Sequence, residues 1–541
     1  MKNLFVLVFI SLITISLEAQ SFNEILKVVA SDRGNGHFFG FSVDVDSNYA
    51  VIGAINAGTP NNLFGQQGSA YIFKRSNNNN WQEVKKVVAS DGFDMDNFGY
   101  SVDISGDYVI VGAYQEDEDT NNANTLSAAG AAYIFKKDEG GVDNWGEVKK
   151  LIASDRDQDD NFGRSVGISG SYAVVGANYE QHDINGMNSM FNAGSAYIFE
   201  KDAGGTDNWG ELKKLVATDR TSNDDFGRSV SIDGDFIVIG AQKQNLDGSS
   251  NNYLINAGAV YVFEKNTGGS NNWGELQKIV AIDRIAGVRF GSAVAIDGDY
   301  IVVGASSATS TPNVFSGAAY VFKKDLVLGT PNWSEFKKLV ASDAAANDEF
   351  GAAVDISGDN IIVGAARESE DLNGSNTLNQ AGAAYIFNKD EGGVDNWGET
   401  QKIIANDRAM TARFGTDVAI KGDFAMVGAR VESKDATGGN SIGGAGAAYV
   451  FEFGIVSSTH LTIDDSNLKI YPNPVQNILN ISSDEAFQFA TIYNVLGQSI
   501  QQISIQNNQA EINVSTLPKG SYILQLVNEK GQTISRQFIK H

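Results

Sequence analysis

Short apolar runs bounded by Gly, Asn and Asp clusters set the rhythm of this chain. Runs such as Tyr108-Val-Ile-Val111 and Ala132-Tyr-Ile-Phe135 are apolar or nearly so at every position, the pattern of strands packed on both faces. Runs such as Trp145-Gly-Glu-Val-Lys-Lys-Leu-Ile-Ala-Ser-Asp155 instead interleave Lys with Val, Leu and Ile, which suits an outer edge strand guarded by charge. With the turn clusters between them, four successive runs predict a four-stranded antiparallel blade.

One clause is written seven times between Phe39 and Phe451. It opens on Phe-Gly, passes through a short strand and a tight turn, and closes on a strand ending in Gly-Ala. The first copies are FGFSVDVDSNYAVIGA at Phe39, FGYSVDISGDYVIVGA at Phe98 and FGRSVGISGSYAVVGA at Phe162. The clause recurs at Phe226, Phe290, Phe350 and Phe414, a period of about 60 to 64 residues, ample for four strands and their loops. A variable loop leads each clause to a third strand, such as GSAYIFKR at Gly68, GAAYIFKK at Gly130 and GAVYVFEK at Gly258, and then to the Lys-bearing fourth.

The tryptophans decide how the repeat closes. All six, Trp81, Trp145, Trp209, Trp273, Trp333 and Trp397, open fourth strands, yet there are seven Phe-Gly clauses, and the last ends at Phe451 with no fourth strand after it. The missing strand lies at the other end of the chain: Ser21-Phe-Asn-Glu-Ile-Leu-Lys-Val-Val-Ala-Ser-Asp32 aligns without a gap on Asn144 to Asp155, with Phe22 in the place of Trp145. The expected fold is all-β, a seven-bladed β-propeller of four-stranded antiparallel blades closed by its N-terminal strand, which removes the open edges of a linear array. In that closure Phe22, Ile25, Val28 and Val29 are expected to bury apolar surface.

Composition narrows the function classes. The formal net charge of -26, from 40 Lys+Arg against 66 Asp+Glu, repels phosphate backbones and anionic lipid heads, so no nucleic acid partner is expected. Cysteine is absent, which excludes disulfides, thiolate metal sites, a Cys nucleophile and a lipid-modified N-terminal Cys. Lys2, the apolar stretch Leu4 to Leu17 and the sequence Glu18-Ala19-Gln20 read as a secretion signal cut after Ala19. No later segment is apolar enough for a bilayer, so no membrane span is expected in the mature protein.

After Phe451 the repeat stops. Residues 454–466 (GIVSSTHLTIDDS) form a polar linker, and residues 467–541 a second β-rich segment punctuated by Pro472, Pro474 and Pro518, expected to be a small β-sandwich. The expected domains are thus a signal peptide over 1–19, the propeller over 20–453, the linker and the tail.

The Phe-Gly and Gly-Ala landmarks, present in all seven copies, resemble the FG-GAP repeats that build the integrin α-subunit propeller and many bacterial surface proteins. One feature departs from that family. Its calcium-binding members carry an acidic loop of the type Asp-x-Asp-x-Asp-Gly-x-x-Asp, reduced here to turns such as Ile104-Ser-Gly-Asp107 and Ile232-Asp-Gly-Asp235. Such turns make good hairpins and poor calcium cages. The tail, with Tyr471-Pro472-Asn473-Pro474, then Tyr493-Asn-Val-Leu-Gly497, then Gly520-Ser-Tyr522, resembles the C-terminal sorting domain of the type IX secretion system. That resemblance implies passage through the type IX machinery, followed by release or attachment at the outer surface of a Gram-negative bacterium.

Chemistry-bearing residues are sparse. Of His37, His182, His460 and His541 only the first two fall in the propeller, so neither a His metal site nor a triad of the common kind can be assembled. Most Ser and Asp recur in every blade, as architecture does. No catalytic residue, metal site or cofactor is expected. The acidic loops holding Asp91, Asp94 and Asp96, and Asp155, Asp157, Asp159 and Asp160, offer hard oxygens, but the equivalent loops at Arg284 and Arg408 carry almost no acids, so loop capping is the expected role.

The loops joining second to third strands, and each fourth strand to the next blade, share one face of an antiparallel blade. Here they are the long, irregular ones, which is where binding specificity is expected. Candidate ligand contacts on that face are Tyr114, Asn178, Tyr179, His182, Gln242 and Arg430, because the residue after Gly-Ala changes from blade to blade, Ser306 among them. Phe64, Leu126, Leu254, Leu378 and Ile442 each precede the Gly of a third strand by the same interval, as loop anchors would. The expected function is a secreted or surface-attached binding or adhesion propeller for an extracellular protein or glycan, and not an enzyme. The alternatives are a propeller-fold hydrolase or lyase acting on an extracellular polysaccharide, and a purely structural surface protein.

Overall fold

The computed structural model describes residues 20–58, 66–76, 80–248, 252–310, 314–455, 468–483, 487–494, 499–505, 509–528 and 533–541. The signal segment 1–19, Phe64, nearly all of the linker and Gly497 lie outside the described residues. The chain divides into two compact units, one over Ser21–Gly454 and one that includes Ile455–His541. No described residue is helical.

Seven four-stranded antiparallel sheets form the first unit. The sheet that follows the N-terminal strand orders Phe39–Asp46, Tyr49–Ala54, Ser69–Arg75 and Trp81–Val87. Its second strand is buried at every position, as the unbroken apolar run requires of a strand covered on both faces. The last sheet places Gln20–Val28 beside Ala447–Ile455, then Phe424–Ala429 and Phe414–Lys421. The strand from the start of the chain is therefore the fourth strand of the seventh blade.

Neighbouring blades meet through a parallel bridge from the glycine that opens a third strand to the next Phe-Gly phenylalanine, Gly68 to Phe98, Gly130 to Phe162 and onward. The seventh bridge joins Gly446 to Phe39 and shuts the ring. This approach explains the landmark glycines. Gly446 sits at φ +85°, and a Cβ there would lie 2.0 Å from the Phe39 carbonyl oxygen. A Cβ on Gly53, of the first Gly-Ala, would lie 2.0 Å from the Gly99 carbonyl oxygen of the next blade.

Aromatic packing repeats around the wheel and breaks in one place. Phe98 packs on Tyr133 and Phe135 of its own blade at centroid distances of 5.5 and 6.0 Å, while Trp145 packs edge-on against Tyr49 of the preceding blade at 5.3 Å. Where other blades offer Tyr or Phe to the next tryptophan, the sixth has Asn360, and Phe22 packs on Phe453 at 5.1 Å instead.

Polar contacts of the N-terminal strand copy those of the other fourth strands. Glu24 accepts the Asn406 N–H at 2.8 Å as Glu147 accepts that of Ser90 at 3.0 Å. Lys27 Nζ lies 2.7 Å from Asp407, matching Lys150 and Asp91 at 2.7 Å. Two expectations need correction here. Ile25 is 37% exposed, because it stands where Val148 stands in its own strand, the position that the register shift between Ile134 and Phe135 leaves without a ladder partner, whereas Phe22 and Val28 are buried. The second lysine of these strands is not a solvated guard: Lys150 is buried against Asp91 and Glu116, and Tyr133 donates to Asp91 at 2.9 Å. A buried charge persists only when paired, so the Tyr-Asp-Lys set is part of the blade's architecture.

The second unit has two sheets, one ordering Lys469–Tyr471, Ile478–Ser482 and Gln509–Asn513, the other Ser499–Ser504, Phe487–Asn494, Gly520–Asn528 and Thr533–Lys540. They enclose one apolar cluster that includes Leu479, Ile492, Ile512, Leu524 and Phe538.

Candidate functional site

The first strands surround a central funnel of about 290 Å³, and the residue after each Phe-Gly lines it. Around the ring these residues are Phe41, Tyr100, Arg164, Arg228, Ser292, Ala352 and Thr416, so the position that follows the most regular landmark is itself irregular. Phe41, Tyr100 and Tyr114 form a run of rings with centroids 4.9 and 4.6 Å apart. The Arg164 guanidinium lies 4.2 Å from the Tyr100 ring centre and 4.9 Å from that of Tyr114, and the Arg430 guanidinium 5.2 Å from Phe41.

These guanidiniums are stacked, and among the described residues neither forms an ion pair. The carboxylates of the neighbourhood are engaged elsewhere, Asp225 with Lys243 at 3.5 Å and Glu349 with Arg367 at 3.2 Å. The Nε atoms of Arg164 and Arg228 are buried without an acceptor. Burial, followed by the charge of Arg228, holds Arg164 below the usual arginine range; burial and then Arg413 do the same to Arg430.

Deeper along the same strands stand four carboxylates. Asp44, Asp103, Asp355 and Asp417 accept the backbone N–H groups of Ile104, Ile168, Ile420 and Val43 in neighbouring blades at 2.7 to 2.8 Å. Burial above all, with facing carboxylates, pushes Asp355 up to about 8 and Asp417 to about 7. Among the described residues no group of three or more His, Asp or Glu has the arrangement of a metal site.

Two of the candidate contacts, Tyr114 and Arg430, stand in this rim. Asn178 and Gln242 do not present free side chains. They are 3% and 8% exposed and turn inward because both donate to Asp225, at 2.5 and 2.6 Å. Ser306 is half-buried. Tyr179 lies farther out, beneath Lys243 at 5.8 Å, and His182 beside Glu180 at 3.3 Å. Sequence reasoning missed Phe41, Tyr100, Arg164 and Arg228. Their signal was available, since they vary at a fixed place beside an invariant landmark.

The loops around the funnel are closed by their own atoms. Leu126, Leu254, Leu378 and Ile442 are half-buried, and each donates its backbone N–H at 2.8 Å to a carbonyl earlier in its loop. Asp160 caps its loop by accepting the Asp157 N–H at 2.6 Å, and Asp96 caps its own through Phe93. Long loops are laced to the connection that follows, as where the Asn223 N–H donates to the Phe191 carbonyl at 2.7 Å. Exposed on this face are Phe93, Met95, Phe191, Tyr253, Phe315 and Met410, whereas the opposite turns expose Val142, Leu328 and Val394.

In the tail the sorting landmarks converge on the terminal strand. The Ile539 N–H donates to Asn473 Oδ1 at 2.9 Å, and the Val475 N–H to the Ile539 carbonyl at 2.8 Å, which ties down the turn holding Tyr471, Pro472 and Pro474. Tyr522, two residues after Gly520, donates to the Pro518 carbonyl at 2.9 Å and stacks on Phe538 at 5.6 Å.

A family model described as FG-GAP repeat matches residues 22–73, 81–135, 145–199, 209–263, 273–322, 333–387 and 397–451, seven matches for seven blades. The chain belongs to the FG-GAP repeat family. Each match in this FG-GAP wheel begins on a fourth strand, and the first begins at Phe22, in the strand that closes the ring. A second model, for the secretion system C-terminal sorting domain, matches residues 469–541. The tail therefore directs export through the type IX machinery to the cell surface or extracellular space of a Bacteroidetes-type Gram-negative bacterium. Among the described residues no helix is long and apolar enough to cross a membrane. Among solved structures, PorZ, an essential bacterial surface component of the type IX secretion system of Porphyromonas gingivalis, matches at 11% identity and a TM-score of 0.34. The match covers 92% of this chain and 64% of that one. No curated protein matches this chain.

Proposed function

We propose that the FG-GAP wheel is a non-catalytic binding or adhesion module that holds an extracellular protein or glycan on its loop face. The observation that carries this reading is the set of exposed Phe, Met and Tyr side chains at the loop tips, Phe93, Met95, Phe191, Tyr253, Phe315 and Met410. Large apolar groups held out to water on a rigid scaffold cost solubility unless a partner covers them, and aromatic residues dominate the centres of recognition surfaces. The polar clusters that resemble active sites recur from blade to blade, as Tyr133-Asp91-Lys150 does in Tyr197-Asp155-Lys214 and Tyr449-Asp407-Lys27, which supports an architectural role.

The test is a glycan array together with a panel of purified host and neighbour-cell surface proteins, probed with the full chain and with a variant carrying Phe93→Ser, Phe191→Ser, Tyr253→Ser and Phe315→Ser. Selective binding that the variant loses supports the reading. Binding that the variant retains, or no binding to any probe, overturns it.

One observation favours a polysaccharide hydrolase or lyase instead. Asp417 lines the funnel, and burial pushes its carboxyl up to about 7, the range of a working general acid or base. Release of reducing ends or of unsaturated sugar products from extracellular polysaccharides, abolished by Asp417→Asn, would establish that activity.

A further inference from the structure

The funnel mouth reverses the charge of the molecule around it. The chain carries a net charge of -26, yet Arg164, Arg228 and Arg430 converge on one axis, with Arg413 beside Arg430 and Arg367 there paired with Glu349. Desolvating like charges side by side is unfavourable, and a wheel has no structural need for it, since the other five blades place Phe, Tyr, Ser, Ala or Thr at the Phe-Gly-x position without loss of the fold. The guanidiniums are also pre-oriented. Stacking on Tyr100, Tyr114 and Phe41 holds two of them by their faces, and Arg164 also hydrogen-bonds Tyr114, which leaves the remaining in-plane N–H groups for an acceptor that arrives from outside. The buried Nε atoms of Arg164 and Arg228 have no acceptor of their own.

The floor of the same cavity adds a second requirement, because Asp417 lies there among serine and threonine side chains. A ligand that was anionic throughout would meet that carboxylate. A sugar acid answers both surfaces, with an oxyanion for the guanidinium rim and hydroxyl donors for the carboxylate below. The cavity, about 290 Å³, is at the small end for ligand pockets and suits one sugar unit, with the remainder of a chain lying across the loop face.

We infer that the funnel mouth is a binding site for a hexuronate-type sugar at the end of an acidic glycan, its carboxylate clamped by Arg164, Arg228 and Arg430 and its hydroxyls met by Asp417. This rests on the loop-face binding reading and gives it a ligand class.

Isothermal titration of the full chain with tetragalacturonate, its methyl ester and a tetraglutamate peptide tests the inference. The acid form is expected to bind, with the ester weaker by about tenfold or more, since hydrogen bonds to charged groups are at stake. Arg164→Gln, Arg228→Gln and Arg430→Gln should each lose about tenfold, and Arg164→Lys an intermediate amount, because it keeps the charge but not the fork. Failure of tetragalacturonate to bind, equal binding of the ester, or equal binding of tetraglutamate overturns the inference, and the ester comparison needs no variant to fold. If array or panel ligands bind through the loop tips while the arginine variants leave that binding unchanged, the funnel site falls and the binding module stands. If no ligand binds at all, both fall.

Discussion

Replacing Phe22 by Ala tests the ring closure at its most buried point. Phe22 is 1% exposed and packs in a cluster with Ile403, Tyr449 and Phe451, as well as against Phe453. Truncating a core Phe to Ala costs about 3–5 kcal/mol. At about 2.1 cal/mol/K of unfolding entropy per residue, a wheel spanning Ser21–Gly454 loses roughly 1 °C of Tm per kcal/mol. The expected drop is therefore about 3–5 °C, read by differential scanning calorimetry. Ile25→Ala, on the exposed side of the same strand, should change Tm by no more than about 1 °C. Removing residues 22–30 goes further, because it opens the edge of the Ala447–Ile455 strand and leaves Asp407 and Glu432 without Lys27. That truncation should lower Tm more than Phe22→Ala and produce oligomers in sedimentation analysis. A truncated protein as stable and monomeric as its parent would refute the closure.

Three further outcomes follow from particular contacts. Asp160 is pushed up to about 9 by burial and by Glu180, so the folded state holds a proton that the unfolded state releases near pH 4, and stability falls as pH rises between those limits. Asp160→Asn keeps the loop cap and should gain Tm over the parent increasingly as pH rises from about 4 to about 9; a gap independent of pH would contradict the buried proton. Chelator should leave the Tm of the wheel unchanged, since the acidic loops are capped by their own backbone; a loss of several degrees restored by calcium and not by magnesium would show a cation site. Deleting residues 468–541 should leave a folded wheel in the periplasm and none at the surface, as judged by protease accessibility on intact cells; display of the truncated chain would separate export from the tail.

The blades were legible because their landmarks answer to hard constraints. Gly446 and Gly53 stand where a neighbouring carbonyl would collide with a Cβ, so the same residues must recur wherever two blades meet. The displaced N-terminal strand was legible for the same reason, since Glu24 and Lys27 keep the partners that Glu147 and Lys150 have. Burial within the fourth strand was not, because Ile25 and Lys27 exchange the places their hydropathy suggests once an Asp-Tyr pocket is present to receive the lysine. The rim was half legible. The position after Gly-Ala carries Tyr114 and Arg430 to the funnel, but it also carries Asn178 and Gln242, which the Asp225 carboxylate draws inward. Arg164 and Arg228 escaped notice because a residue beside an invariant Phe-Gly is easily taken for part of the repeat, whereas in a rotationally repeated wheel the place that fails to repeat is the one free to serve a ligand.

The most direct measurement is hydrogen exchange of the full chain, free and saturated with the strongest-binding ligand from the array or panel. Recognition through the loop face predicts slowed exchange in the loops around Phe93, Phe191, Tyr253 and Phe315 and in the strand ends at Tyr100 and Arg164, with the opposite turns around Val142 and Val394 unchanged. Protection confined to those opposite turns, or to the tail from residue 468 onward, would contradict it.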